Sequence, residues 1–277
     1  MEVTHALGRD DDADGLPDRL LVDLRELART RTLLVALDFD GTLAPLVDEP
    51  DQARALPAAA EAIDRLIALP ATRVALLSGR SLSALADVAR MPAEVLLAGS
   101  HGAEIRLDGS ESLLGLDEAE RAVIDRVHAR LTAVAEDIPG VWVERKPAGF
   151  ALHTRTATPD DARGAVARAR AALAEDLDAL KVRSGKDVVE FAVRATTKGD
   201  ALLTLKRFTG ATGAFFAGDD VTDEDVFTVL AGTDLGLKSG AGATSADHRV
   251  AGPAEVALVL ARLAQFREDP QEPGFSG

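Results

Sequence analysis

Asp38 and Asp40 sit two residues apart at the end of a short apolar run, Leu33 to Leu37. Such a run of branched residues reads as a buried parallel strand. Gly41, Thr42 and Pro45 then turn the chain into a loop. Ligands of open α/β sheets bind just past the carboxyl ends of strands. On extended chain, side chains two apart point the same way, about 6–7 Å from each other. The two carboxylates can thus flank one small reacting group. Polar residues also follow two other apolar runs: Ser78 with Arg80, and Asp219, Asp220 and Asp223. Lys198 opens a helix between these two groups. Clustered carboxylates repel one another unless a cation is bound. Oxygen ligands without His or Cys suit Mg²⁺, which combines one or two carboxylates with phosphate oxygens. That is the chemistry of phosphoryl transfer. Asp38 is expected to attack phosphorus in line. Asp40 is expected to protonate the leaving oxygen and then to deprotonate the hydrolytic water. Mg²⁺ is expected between Asp38, Asp219 and the Asp40 carbonyl, with Asp220 and Asp223 beside it. Ser78 would donate to a phosphoryl oxygen and Lys198 would balance charge.

These groups need a scaffold, and the order of the elements supplies one. Strand and helix alternate from Leu33 to Ala98, which predicts a doubly wound, Rossmann-like parallel sheet. The rhythm then becomes helix (117–136), hairpin (141–155), helix (159–177), hairpin (180–193), an α+β module of αββαββ type. Alternation resumes at Lys198. The expectation is a core formed by residues 1–108 and 195–277, interrupted by a cap at 109–194. Residues 1–16 and 268–277 are expected to be disordered. The cap strands alternate, with Glu144 and Lys146 opposite Val141 and Val143, His153 and Arg155 opposite Phe150 and Leu152, and Glu190 opposite Val189 and Phe191. Three strands thus present acids and bases on one side and hydrocarbon on the other. A wall of acids and bases suits a sugar, whose hydroxyls both donate and accept.

Composition narrows the classes. The chain has 277 residues, 47% hydrophobic, enough for one large or two smaller domains. Its net charge of −15 argues against a nucleic-acid partner. With no cysteine, disulfides, Cys zinc sites and a thiol nucleophile are excluded. The acidic start is unlike a signal peptide, and no apolar run reaches the length of a membrane span. A soluble, cytoplasmic, monomeric protein that avoids membranes is expected. No Walker-type loop is present.

The quoted residues resemble the haloacid dehalogenase-like phosphatases and, within them, the trehalose-6-phosphate phosphatases. The likeness rests on Asp38-Phe39-Asp40-Gly41-Thr42-Leu43 with Pro45, on Ser78-Gly79-Arg80, and on Gly99-Ser100-His101-Gly102-Ala103-Glu104. Further carriers are Glu144-Arg145-Lys146, His153 with Arg155, Gly185-Lys186 with Glu190, Lys198-Gly199, and Gly218 to Asp225. It runs from about Leu33 to Leu263. The resemblance implies Mg²⁺-dependent hydrolysis of trehalose 6-phosphate, with Arg80, Glu104, Glu144, Lys146, Arg155, Lys186 and Glu190 on the substrate. With no glycosyltransferase region read ahead of the core, a stand-alone phosphatase is expected. Where such enzymes often carry Arg-Pro after the cap glutamate, this chain has Phe191-Ala192-Val193-Arg194. The alternatives are a phosphatase for another sugar phosphate, such as sucrose 6-phosphate, and a non-catalytic sugar-phosphate sensor.

Overall fold

A computed structural model of the chain describes residues 15–108, 110–113, 118–146, 148–185, 187–194 and 196–269, with backbone only at 110–113. The elements run α1 (Asp18–Ala28), β1 (Leu33–Leu37), α2 (Pro57–Ala68), β2 (Thr72–Leu77), α3 (Leu82–Ala89), β3 (Leu96–Gly99), β4 (Glu104–Leu107) and β5 (Ser110–Leu113). Then come α4 (Glu118–Glu136), β6 (Trp142–Lys146), β7 (Gly149–His153), α5 (Pro159–Ala172), β8 (Lys181–Gly185) and β9 (Val188–Ala192). The chain finishes with α6 (Lys198–Thr209), β10 (Gly213–Gly218), α7 (Glu224–Phe227), β11 (Leu235–Ser239), β12 (His248–Val250) and α8 (Pro253–Glu268). Two compact units result. One is Met1–Leu76, Val88–Val95 and Leu203–Gly277; the other is Leu77–Asp87 and Leu96–Leu202.

The first unit carries the parallel strands in the order β12-β11-β10-β1-β2. Every residue of β1 and of β10 is buried, as expected for central strands covered on both faces. They run in register from Leu33 opposite Gly213 to Leu37 opposite Ala217, so the two strands end side by side. Helix α8 packs on both α1 and α2, burying Val256, Val259, Leu260 and Leu263. Glu268, expected to begin a disordered tail, is instead the last residue of α8, and its carboxylate meets Arg65 at 2.9 Å. The neighbouring Arg267 is why the helix continues. Its guanidinium donates to the carbonyls of Ala28, Thr30 and Ala71 and to the Thr72 hydroxyl at 2.6–2.9 Å, tying two loops to one helix end. Replacing Arg267 by Ala strands these carbonyls and is expected to destabilise the fold by about 1–3 kcal/mol. A denaturant midpoint unchanged from the parent would contradict this.

The second unit holds β3, β4 and β5 as an antiparallel run and a separate four-stranded antiparallel sheet, β6-β7-β9-β8. The helix α4 places Ile124, Val127, Leu131 and Val134 along one stripe. They pack with Ala165, Ala169, Phe150, Leu152, Val189 and Phe191 into one apolar cluster. Thr158 caps α5, accepting from the Asp161 amide at 3.2 Å, with Pro159 at the first helical position. At the end of β9, where the Arg-Pro pair is missing, Arg194 forms a two-pronged ion pair with Glu120 of α4, at 2.5 and 2.7 Å. The second hairpin strand stops at His153, so Arg155, expected on it, lies in the turn that follows and is exposed. The Thr154 amide still bonds the Asp187 carbonyl, one step further along the same register, and the chain turns at Arg155. Among the described residues no helix is long and apolar enough to cross a membrane.

Candidate active site

The end of β1 builds a closed loop. The Asp38 amide extends the ladder to the Ala217 carbonyl at 2.9 Å. The Phe39 carbonyl accepts from both Leu43 and Ala44, and the Gly41 amide donates to Ala44. Closing so short a turn requires a left-handed residue, and Gly41 supplies it at φ +76°. The turn buries Asp38 to 4% exposure and brings the Thr42 hydroxyl to its Oδ2 at 3.4 Å. Asp40 is half-buried, bridged to Ala44 through its backbone.

The end of β10 delivers the other acids. Asp220 is the N-cap of the short turn Val221–Asp223. Its carboxylate accepts from the Val221 amide at 2.7 Å, and its own amide donates to Asp223 Oδ2 at 2.8 Å. This reciprocal cap holds Asp223 fully buried beneath Gly218, where a side chain would lie 2.4 Å from the Asp223 carboxyl carbon. Asp38, Asp219 and Asp223 each present a carboxylate oxygen, all within 4.8 Å of one another. Asp220 is exposed, its carboxylate given to the cap. Three carboxylates this close, two of them buried, fit a hard divalent cation, because only oxygen donors are present and their mutual repulsion needs positive charge. Around them are residues to which sequence reasoning gave no role: Thr42, Lys238 and Ser239. A lysine at the end of an apolar strand was the available signal.

In the second unit Ser78 is buried. Its hydroxyl accepts from the Arg80 amide at 3.1 Å, and its carbonyl accepts from the His101 amide at 2.9 Å. Glu104, expected on substrate, accepts from the Leu82 amide at 2.9 Å and the Ser100 hydroxyl at 2.7 Å. It therefore caps α3, with its charge near the positive helix end. Ser100, His101 and Gly102 all have positive φ, and Gly102 lies so close to α6 that a Cβ would stand 2.7 Å from the Ala201 Cβ. Lys198 is buried at the start of α6. Ahead of it, Thr197 and Asp200 form a capping box at 3.1 Å each way.

On the face of the four-stranded sheet opposite the apolar cluster, register aligns Glu144, Ala151, Glu190 and Arg183 in one row. Glu144 takes Lys146 at 2.5 Å and His153 at 2.8 Å. Burial pushes the Glu144 carboxyl up, but the hydrogen bonds from Lys146 and His153 outweigh it and hold the group below its ordinary value of 4.5. A depressed carboxyl contributes stability above its ordinary pKa, so this network persists at neutral pH. It is lost as pH falls through the lowered value. Trp142, not anticipated, stacks on His153 with ring centres 4.8 Å apart and stays 42% exposed. Lys186 lies outside the described residues.

A Rossmann-like α/β core with acids at the ends of adjacent strands, together with an α+β module, defines a haloacid dehalogenase-like phosphatase. The solved trehalose-6-phosphate phosphatase of Aspergillus fumigatus (crystal form 3) superposes with a TM-score of 0.71 at 25% identity, over 90% of this chain and 98% of that one. The C-terminal domain of the Candida albicans trehalose-6-phosphate phosphatase shares the fold, with a TM-score of 0.59 at 23% identity, over 89% of this chain and 96% of that one. The trehalose-phosphate phosphatase of Mycobacterium tuberculosis is 35% identical over 269 residues, 92% of this chain and 68% of the relative. A family model described as trehalose-phosphatase matches residues 36–252, and the chain belongs to that family.

Proposed function

We propose that this protein hydrolyses trehalose 6-phosphate to trehalose and phosphate. The observation that carries the reading is the junction of Asp38, Asp219 and Asp223 within a chain of the trehalose-phosphatase family. Asp38 Oδ attacks phosphorus while the bond from phosphorus to the sugar oxygen breaks, leaving an aspartyl-phosphate. Asp40 gives its proton to the departing sugar oxygen. Water then attacks the phosphorus of the intermediate, Asp40 takes the water's proton, and Asp38 is released as carboxylate. Asp38, Asp219 and Asp223 would hold Mg²⁺, which would supply charge neutralisation and alignment of the phosphoryl group. Asp220 acts on that site through the backbone and Asp223. Ser78 and Lys198 serve the phosphoryl oxygens, supported by their burial and their places at a strand end and a helix start. Arg80 joins them, with Glu104 keeping that turn in shape. Residues 1–108 and 195–277 act as the catalytic core, and 109–194 as a cap whose Glu144, Lys146 and Glu190, with Arg155 and Lys186, take the sugar hydroxyls.

The test is phosphate release from trehalose 6-phosphate and from sucrose 6-phosphate, each with Mg²⁺ and with EDTA. Turnover is expected only with Mg²⁺, with kcat/KM favouring trehalose 6-phosphate by at least about tenfold. Equal use of both sugars would reassign the substrate, and binding without turnover would leave a sensor. Replacing Glu144 by Gln removes a charged acceptor and is expected to raise KM for trehalose 6-phosphate by about tenfold or more. Hydrolysis of p-nitrophenyl phosphate, which has no sugar, should change little. An equal loss on both substrates would move Glu144 out of the sugar site.

A further inference from the structure

Lys238 and Ser239 are consecutive at the end of β11, with 3% and 1% of their surface exposed. Neither belongs to the acidic set. Adjacent residues of a strand point to opposite faces, so one dipeptide can reach two different loops. The Lys238 ammonium donates to the carbonyl of Asp219 at 2.5 Å and to that of Asp220 at 3.3 Å. The Ser239 hydroxyl donates to the carbonyl of Gly41 at 2.8 Å. These are the two loops that carry Asp38 and the Asp219–Asp223 group. A buried ammonium is costly unless it is matched. Here its counter-charge is Glu224, whose Oε1 lies 3.8 Å away. That oxygen is buried and makes no hydrogen bond among the described residues, while Oε2 accepts from the Ser245 amide at 2.8 Å. The ammonium therefore spends its donors on backbone oxygens, not on the three carboxylates.

We infer that Lys238 and Ser239 form a two-loop clamp that sets the spacing of the carboxylates and thereby the affinity for the divalent cation. They are positioning residues, and the inference rests on the metal reading proposed above. Outer partners that orient metal ligands typically change affinity by about 10–100-fold when removed. The clamp differs from such partners in holding the main chain of the ligand loops, so its loss frees both carboxylate-bearing turns together.

The test uses the full chain and Mn²⁺ as a paramagnetic probe, with free Mn²⁺ counted by electron paramagnetic resonance. Lys238→Met is expected to weaken Mn²⁺ binding by about 10–100-fold and Ser239→Ala by about tenfold. Lys238→Arg, which can still donate to carbonyls, should retain more affinity than Lys238→Met. Melting in EDTA is measured beside it. A purely structural role would lower the melting temperature yet leave Mn²⁺ affinity unchanged in the folded variant, and that result overturns the clamp. Should Lys238→Met not fold, Ser239→Ala decides: unaltered Mn²⁺ affinity there also overturns it. If the parent protein binds no Mn²⁺, the metal reading and the clamp fall together. If the parent binds and the variants match it, the clamp alone falls.

Discussion

Asp38→Asn is expected to lower phosphate release from trehalose 6-phosphate by at least about 10⁴-fold, the scale seen when a nucleophile is removed. An amide carries no charge and does not attack phosphorus usefully, so the covalent route closes while the shape of the side chain is kept. The fold should not suffer. Asp38 is buried, and its carboxylate accepts from the Thr42 hydroxyl at 3.4 Å, a bond that an amide oxygen can still accept. In EDTA the variant should melt at the parent's temperature or above it. Neutralising one of three carboxylates within 4.8 Å relieves repulsion that is uncompensated without a cation. With Mg²⁺ the order should reverse, because the parent gains binding energy that the variant has partly lost. Turnover within about tenfold of the parent would reassign the nucleophile.

Gly41→Ala is expected to cost activity far more than stability. Gly41 sits at φ +76°, and a Cβ there would stand 2.0 Å from Asp219 Oδ2 and 2.3 Å from its Cγ. The Asp219 carboxylate must turn away, since the turn is closed on both sides by the Phe39 and Ala44 backbone. A left-handed alanine costs roughly 1–2 kcal/mol, whereas a ligand moved by about an ångström can cost about 10²-fold in rate. Gly210→Ala is the control. Gly210 has φ +64° with nothing within 4 Å of the added carbon, so it should show the strain and leave kcat/KM alone. Comparable activity losses in both variants would mean that backbone strain, not the displacement of Asp219, is responsible.

Much of the scaffold follows from local pattern. β1 spans Leu33–Leu37 and α2 starts at Pro57, as the runs predict, because a continuous apolar stretch and a Pro-led amphipathic helix need no distant partner to be recognised. The antiparallel β4 and β5 were not legible. Glu104–Leu107 alternates weakly and Ser110–Leu113 is short, so pairing with a neighbour, not intrinsic preference, makes them strands. Glu104 shows the same limit at a single residue. Its sequence context admits substrate or structure, and the Leu82 amide and Ser100 hydroxyl that claim its carboxylate are brought to it by folding.

The chain's own order of residues determined which acids stand at strand ends, that they number enough for a cation, and which strand faces of the α+β module are polar, since those properties depend on spacing along the backbone. Tertiary structure alone decided which acids meet. Asp219 and Asp223 join Asp38 while Asp220 turns outward to cap a helix, a division that follows from the rotation of one tight turn. It also decided that Lys238 and Ser239 stand beneath the loops of residues some 20 and 200 positions away, because parallel strands place neighbouring ends together whatever length of chain separates them.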